Sequence, residues 1–171
     1  MSVTKTHFDF MPDGTEVHLF TITNNNEVSA GIITRGATLQ SFVCPDKDGK
    51  MGDIIMGFDN VAAHIASGTY TGNIIGQYAN RLCAGKFTVA GKEYQVTQNE
   101  KGKTCLHGGG EYNSAVWKAI IIDDDAVEFS YISEDGNEGF PGKVEVTVVY
   151  RLTDRNELEI HYNAVPDRET V

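Results

Sequence analysis

The sequence predicts an all-β, antiparallel protein. The signs are eighteen glycines in 171 residues, apolar runs that are short, and Asn/Asp/Gly clusters recurring at close intervals. That punctuation belongs to many strands joined by tight turns, not to helices. In chain order, strands are expected over residues 16–23, 28–34 and 38–44. Asn24-Asn25-Asn26 and Asp46-Lys47-Asp48-Gly49-Lys50 supply the backbone conformations and solvated side chains that turns favour. Residues 60–66 carry the only helical hint. Strands follow at 86–89 and 94–97 about Ala90-Gly91-Lys92, and at 116–122 and 126–132 about Asp123-Asp124-Asp125. The clearest pair comes last. Val144, Val146, Val148, Tyr150 and Leu152 alternate with Lys143, Glu145, Thr147 and Arg151, broken only by Val149. Leu158, Ile160, Tyr162 and Ala164 then alternate with Glu157, Glu159, His161 and Asn163. Residues 153–156 connect the two strands as a hairpin, which should pack on one side only and leave His161 in solvent.

No linker, repeat or low-complexity tract interrupts the chain, so residues 1–171 are expected to form a single domain. At that length a real core is available, because roughly 70% of the unfolded surface is buried on folding. The 14 Lys plus Arg against 24 Asp plus Glu give a net charge of −10, which repels phosphate backbones and anionic lipid. Neither nucleic acid nor membrane is an expected partner. No stretch approaches the roughly 20 apolar residues of a membrane span, and Lys5, His7 and Asp9 interrupt any signal-like apolar core, so a cytoplasmic location is expected. Cys44, Cys83 and Cys105 are odd in number and widely spaced, which fits free thiols in a reducing compartment.

His107 is the leading catalytic candidate. It follows the polar run 99–104 and precedes Gly108-Gly109-Gly110, so the chain can turn sharply and the ring can stand free in a cleft. A His-Gly-Gly-Gly run also occurs as the oxyanion-hole loop of lipases, but the Gly-x-Ser-x-Gly elbow which that chemistry requires is missing. Asn80-Arg81 offers a permanently charged fork of five donors beside an amide that both donates and accepts, a combination suited to binding a polyol. Residues 133–142 are rich in turn formers and carry Glu134, Asp135 and Glu138, read as a solvated hairpin loop and not as a source of a catalytic base. Trp117 is expected in the core. Gly102-Lys103-Thr104 lacks the first glycine of a P-loop, since residue 97 is Thr, and Val127 and Glu128 break the EF-hand spacing of Asp123, Asp125 and Glu134. The five histidines share no ligand spacing, so no metal site is indicated.

Three motifs occur together: Tyr78-Ala79-Asn80-Arg81, Leu106-His107-Gly108-Gly109, and Ser133-Glu134-Asp135-Gly136-Asn137-Glu138-Gly139-Phe140-Pro141-Gly142. In order and spacing they resemble the first half of an aldose 1-epimerase, the galactose mutarotase family, over about residues 8–171. Trp117 matches a tryptophan that follows the histidine motif in relatives. Gln77 stands where many relatives carry arginine in a Gly-Arg-x-Ala-Asn-Arg motif.

The resemblance implies the opening portion of a large β-sandwich (supersandwich). It implies an enzyme that interconverts the α and β anomers of hexoses such as glucose and galactose, with no cofactor or metal. By the same resemblance Asn80, Arg81 and His107 bind the monosaccharide, and the three are expected to converge on one concave surface. The family's general acid, the histidine of an Asn-His pair, and its general base, a glutamate, belong to a second half beyond Val171. The 171-residue chain alone is therefore expected to be inactive, to expose unpaired strand edges, and to associate with itself or with a C-terminal half. The alternative is a non-catalytic carbohydrate-binding or partner-binding module.

Overall fold

The computed structural model describes residues 1–171, and its architecture is antiparallel β throughout. A five-stranded sheet follows chain order: β1 (Ser2–Phe10), β2 (Glu16–Thr23), β3 (Ser29–Ile33), β4 (Thr38–Pro45) and β5 (Met51–Asp53). A four-stranded sheet takes the end of the chain: β10 (Lys118–Asp123), β11 (Ala126–Ser133), β12 (Val144–Leu152) and β13 (Leu158–Pro166). Between them run two small ladders. One pairs β6 (Arg81–Cys83) with β9 (Thr104–Leu106), and the other pairs β7 (Lys86–Val89) with β8 (Lys92–Gln95).

Alternation decides which face each strand buries. Phe20 and Ile22 of β2, Ala30 and Ile32 of β3, Val127 and Phe129 of β11, and Val144, Val146, Val148, Tyr150 and Leu152 of β12 form one continuous core between the two large sheets. Phe129 sits edge-on to Phe20 and to Tyr150, each at 5.7 Å between ring centroids, the geometry that aromatic quadrupoles favour. The Tyr150 hydroxyl crosses the core to donate to the Ala37 carbonyl at 2.8 Å. Trp117 is 2% exposed, and its indole N–H donates to the Tyr112 carbonyl, so its expected core role is met. As the alternation requires, β12 buries one side, and His161 on β13 is exposed.

The two sheets are also clasped at one end. The buried Asn24 donates to the Thr153 carbonyl and to Asn156 Oδ1, while Asn25 bonds the Asp154 carboxylate and Asn26 the Asp154 carbonyl. A turn that sequence alone marks as solvated is thus partly an inter-sheet joint.

The outer face of β2 and β3 is covered by α1 (Val61–Ser67), whose Val61 packs on Val17 and Ile33. Asn60 caps this helix by accepting the Ala63 N–H at 2.8 Å, the Asp9 carboxylate accepts the Val61 N–H, and Gly68 ends the helix at φ 60°. A second helical turn, α2 (Glu111–Ser114), follows the three glycines after His107. No helix is long and apolar enough to cross a membrane.

Candidate functional site

The β6–β9 ladder builds the site. Pairing of Arg81 with Leu106 brings Asn80 and His107 face to face at the ladder's end, although their motifs lie far apart in the chain. The two residues exchange hydrogen bonds. The His107 N–H donates to the Asn80 carbonyl at 2.9 Å, and the Asn80 N–H donates to His107 Nδ1 at 3.0 Å. Both hold left-handed backbone conformations, Asn80 at φ 62° and His107 at φ 52°. Such a conformation costs roughly 1–2 kcal/mol in a residue other than glycine, less in asparagine. The reciprocal bonds offset that strain.

One of these bonds sets the tautomer of the histidine. A backbone N–H can only donate, so His107 Nδ1 must be the bare acceptor, and in the neutral ring the proton resides on Nε2. Burial, and then the positive charge of Arg81, lower the His107 pKa below its ordinary value, with Glu100 opposing the shift. At neutral pH the side chain therefore presents an Nε2–H donor. The ring is not free-standing as the glycines alone suggest. Tyr70 lies against it at 4.5 Å between centroids.

Arg81 is held as firmly. Its Nε and one terminal nitrogen reach the two oxygens of Glu100 at 2.7 and 2.6 Å, and the other terminal nitrogen lies 3.3 Å from Asn80 Oδ1. Glu100 raises the Arg81 pKa and is itself lowered by Arg81. Because the pair is exposed, its contribution is to orientation more than to stability. Behind it, the Asn99 amide accepts the Leu106 N–H and donates to the Leu106 carbonyl, bracing β9.

The glycines have a specific task. A Cβ on Gly108 would lie 1.8 Å from the Gly76 carbonyl oxygen, so only glycine lets the turn lie against the Gly76-Gln77 backbone. Gln77 reaches away from the sugar-binding candidates, donating to Ser133 Oγ and accepting from the Thr170 hydroxyl. The loop 133–142 is less solvated than expected. Phe140 is buried against Phe87, Val96 and Cys105, and Glu138 folds over Gly109. It is a packed buttress behind the histidine turn.

The expected convergence of Asn80, Arg81 and His107 thus exists as proximity, but the expected concavity does not. None of the three lines a cavity of the chain. They form an open ledge. The largest groove, about 460 Å³, lies elsewhere and is mainly apolar, lined by residues including Ile74, Tyr112, Val146, Tyr162 and Val171. Tyr70 and Glu100 join the site, and Glu111 supports it through bonds to Ser133 and Asn137, without any motif to mark them. For Glu100 the only trace was its place in the polar run, and for Glu111 its position directly after the glycines.

The sequence profile of the aldose 1-epimerase family matches residues 18–171. The chain is 34% identical to the galactose mutarotase of Bos taurus over 172 residues, covering 99% of this chain and 49% of that protein. It is 34% identical to the aldose 1-epimerase of Escherichia coli (strain K12), covering 92% of this chain and 45% of that one. Among solved structures, a GalM/aldose epimerase homologue from C. elegans superposes with a TM-score of 0.81 at 31% identity, over 87% of this chain and 46% of its own. The galactose 1-epimerase of Lactobacillus acidophilus NCFM shares the fold with a TM-score of 0.85 at 22% identity, over all of this chain and 50% of that one. The chain spans about half the length of the curated relatives it matches. From its profile match, its relatives and its β-sandwich, the chain belongs to the aldose 1-epimerase family.

Proposed function

We propose that this chain supplies the sugar-positioning part of an aldose 1-epimerase acting on a hexose such as galactose or glucose. The observation that carries the reading is the ledge of Asn80, Arg81 and His107, with the histidine held neutral and its Nε2–H available. Interconverting anomers requires a base to take the proton of the anomeric hydroxyl and an acid to protonate the ring oxygen. The open-chain aldehyde then rotates about its first carbon-carbon bond, and the transfers reverse. In this scheme the Asn80 amide and the free donors of Arg81 hold sugar hydroxyls, while His107 Nε2–H donates toward the ring oxygen.

The ledge orients a sugar better than it moves protons. Glu100 is the carboxylate bonded to the ledge, both its oxygens are taken by Arg81, and its lowered pKa makes it a weak base. Openness to water further weakens electrostatic stabilisation of a transition state. The chain alone is therefore expected to bind a hexose weakly and to mutarotate it slowly. Acid and base would come from a C-terminal half of the family domain. The apolar groove and the unpaired edge of β13 are surfaces that such a half could cover.

Polarimetry on freshly dissolved α-D-galactose and α-D-glucose tests it. Buffer and the chain alone should give similar rates, and the chain mixed with a separately expressed C-terminal half of a relative should be faster. Strong acceleration by the chain alone, abolished in His107→Ala, would show that it contains its own acid-base pair. A chain with no detectable hexose binding, which fails to accelerate in either arrangement, would overturn the sugar-positioning role.

A further inference from the structure

Glu111 is a carboxylate whose surroundings the reaction does not explain. It is 8% exposed and forms no salt bridge, yet three side chains donate to it. The Tyr131 hydroxyl reaches Oε1 at 2.9 Å, the Ser133 hydroxyl reaches Oε2 at 2.8 Å, and the Asn137 amide closes on Oε1. The network continues outward, since Gln77 Nε2 donates to Ser133 Oγ and the Thr170 hydroxyl donates to Gln77 Oε1. Burying a carboxylate is costly, and several aligned donors are what make it tolerable. A hydrophobic residue would fill an ordinary core position at less expense.

Its position in the chain supplies the reason. Between His107 and Glu111 stand three glycines, all in left-handed backbone regions at φ 68°, 88° and 109°. Glycines adopt these angles freely, and for the same reason do not enforce them. The turn has no side chain of its own to grip its neighbours. On one side it is fixed by the β9 ladder and the Asn80 exchange. On the other, the first side chain able to hold it is Glu111, which opens α2, with the Ala115 N–H donating to its carbonyl. Its three partners come from β11 and from the loop after it. That loop is the buttress whose Glu138 lies over Gly109.

We propose that Glu111 is a positioning residue for His107: its three-donor clamp ties the flexible glycine turn to β11 and so sets where, and in which tautomer, the imidazole meets the sugar. The inference rests on the reading of His107 as a sugar-contacting group, but its central claim, control of the imidazole by a carboxylate four residues away, can be measured without any sugar.

The test uses the 171-residue chain and long-range ¹H–¹⁵N spectra of its histidine rings, with backbone amide exchange measured in parallel. In the native chain His107 should show the single Nε2–H tautomer. In Glu111→Ala, with the sandwich intact by circular dichroism, that pattern should be lost and the His107 pKa should climb back toward the ordinary histidine value. The Asn80 amide should exchange at least about tenfold faster once its bond to His107 Nδ1 is loosened, a shift of the order expected for loss of a hydrogen bond. Glu111→Gln, which keeps one acceptor oxygen, should restore most of the native pattern, and Ser133→Ala should move partway toward Glu111→Ala. His161, exposed on β13, should not change in any variant.

A folded Glu111→Ala chain whose His107 tautomer and Asn80 exchange match the native values would overturn the proposal. So would equal changes at His161, which would mark general loosening. If Glu111→Ala does not fold, Ser133→Ala and Tyr131→Phe decide by the same spectra. Galactose titration separates the two readings. Intact coupling between Glu111 and His107 without sugar binding would sink the sugar-positioning function alone, and sugar binding with His107 indifferent to Glu111 would sink the clamp alone.

Discussion

At the scale of single residues, Asn80, Arg81, His107 and Glu100 immobilise one another. Glu100 grips Arg81 through Nε and one terminal nitrogen and leaves the other terminal nitrogen, beside Asn80, to make further bonds. If the proposed function holds, Arg81→Lys in a form containing both halves should raise the Kd for galactose by roughly tenfold, because an ammonium cannot hold Glu100 and a hydroxyl in the same fixed plane. Calorimetric titration would check this, and an unchanged Kd would remove Arg81 from the binding set. His107→Asn in the same enzyme should lower kcat by about 10²-fold with a smaller change in KM, as expected for a donor whose partner gains charge in the transition state. Steady-state polarimetry separates the two constants. A raised KM with unchanged kcat would make His107 a simple binding group.

At the scale of elements, the fold was legible where alternation lasts. Residues 16–23 and 86–89 have the ends their pattern predicts, and the patterns over 126–132 and 143–152 end within a residue of the observed strands. β1 was not read at all. Its nine residues lie on a sheet edge with no fully buried position, and a bulge between His7 and Asp9 shifts its register, so no period of two survives. Three-residue strands such as β6 and β9 are too short to show a period, yet their pairing creates the site. Asn80, Arg81 and His107 were visible through their motifs. Tyr70, Glu100 and Glu111 were not, because what makes them matter is contact across loops and not spacing along the chain.

Two predictions belong to this scale. Gly108→Ala should destabilise the chain by roughly 3 kcal/mol or more, since its Cβ has no space beside Gly76, whereas Gly102→Ala should cost only about 1 kcal/mol for its left-handed backbone. Gly102 has φ 63° and open space around it, so comparing the two urea midpoints isolates packing from conformation. The second concerns α1, where His64 is 5% exposed and its Nε2 lies 2.8 Å from Gln40 Oε1. Burial, and then Arg35, lower its pKa. His107 is shifted the same way, so the unfolded chain binds more protons than the folded one as pH falls below the ordinary 6.5. Stability should be full above that value and decline as pH drops toward the depressed folded pKa values. Urea unfolding at about pH 7.5 and about pH 5.5 should show the decline, and His64→Gln should flatten it in part.

At the scale of the whole molecule, both sheets end in open strands, and the second sheet is the more exposed. β10 shows Ile120, Ile121 and Ile122 to solvent at 57%, 49% and 44%, and β13 shows Tyr162 and Val165 at 64% and 55%. Unpaired backbone flanked by apolar side chains invites pairing. The isolated chain should sediment as a concentration-dependent mixture of species, and Ile121→Lys combined with Tyr162→Lys should move it toward monomer. A native chain that stays monomeric at high concentration would contradict this. The clasp at the other end of the sandwich acts on a different timescale. Asn24 finds its partner 129 residues later, in the last hairpin of the chain. At a ribosomal pace of about 5–20 residues per second, the first turn emerges roughly 6–26 s before the residues that complete it exist. For most of that interval the nascent N-terminal sheet has an apolar face and little or none of the opposite sheet, whose strands start only at Lys118. The β12–β13 hairpin therefore does more than add two strands: until it arrives, the nascent first sheet is for some seconds a sticky half-sandwich.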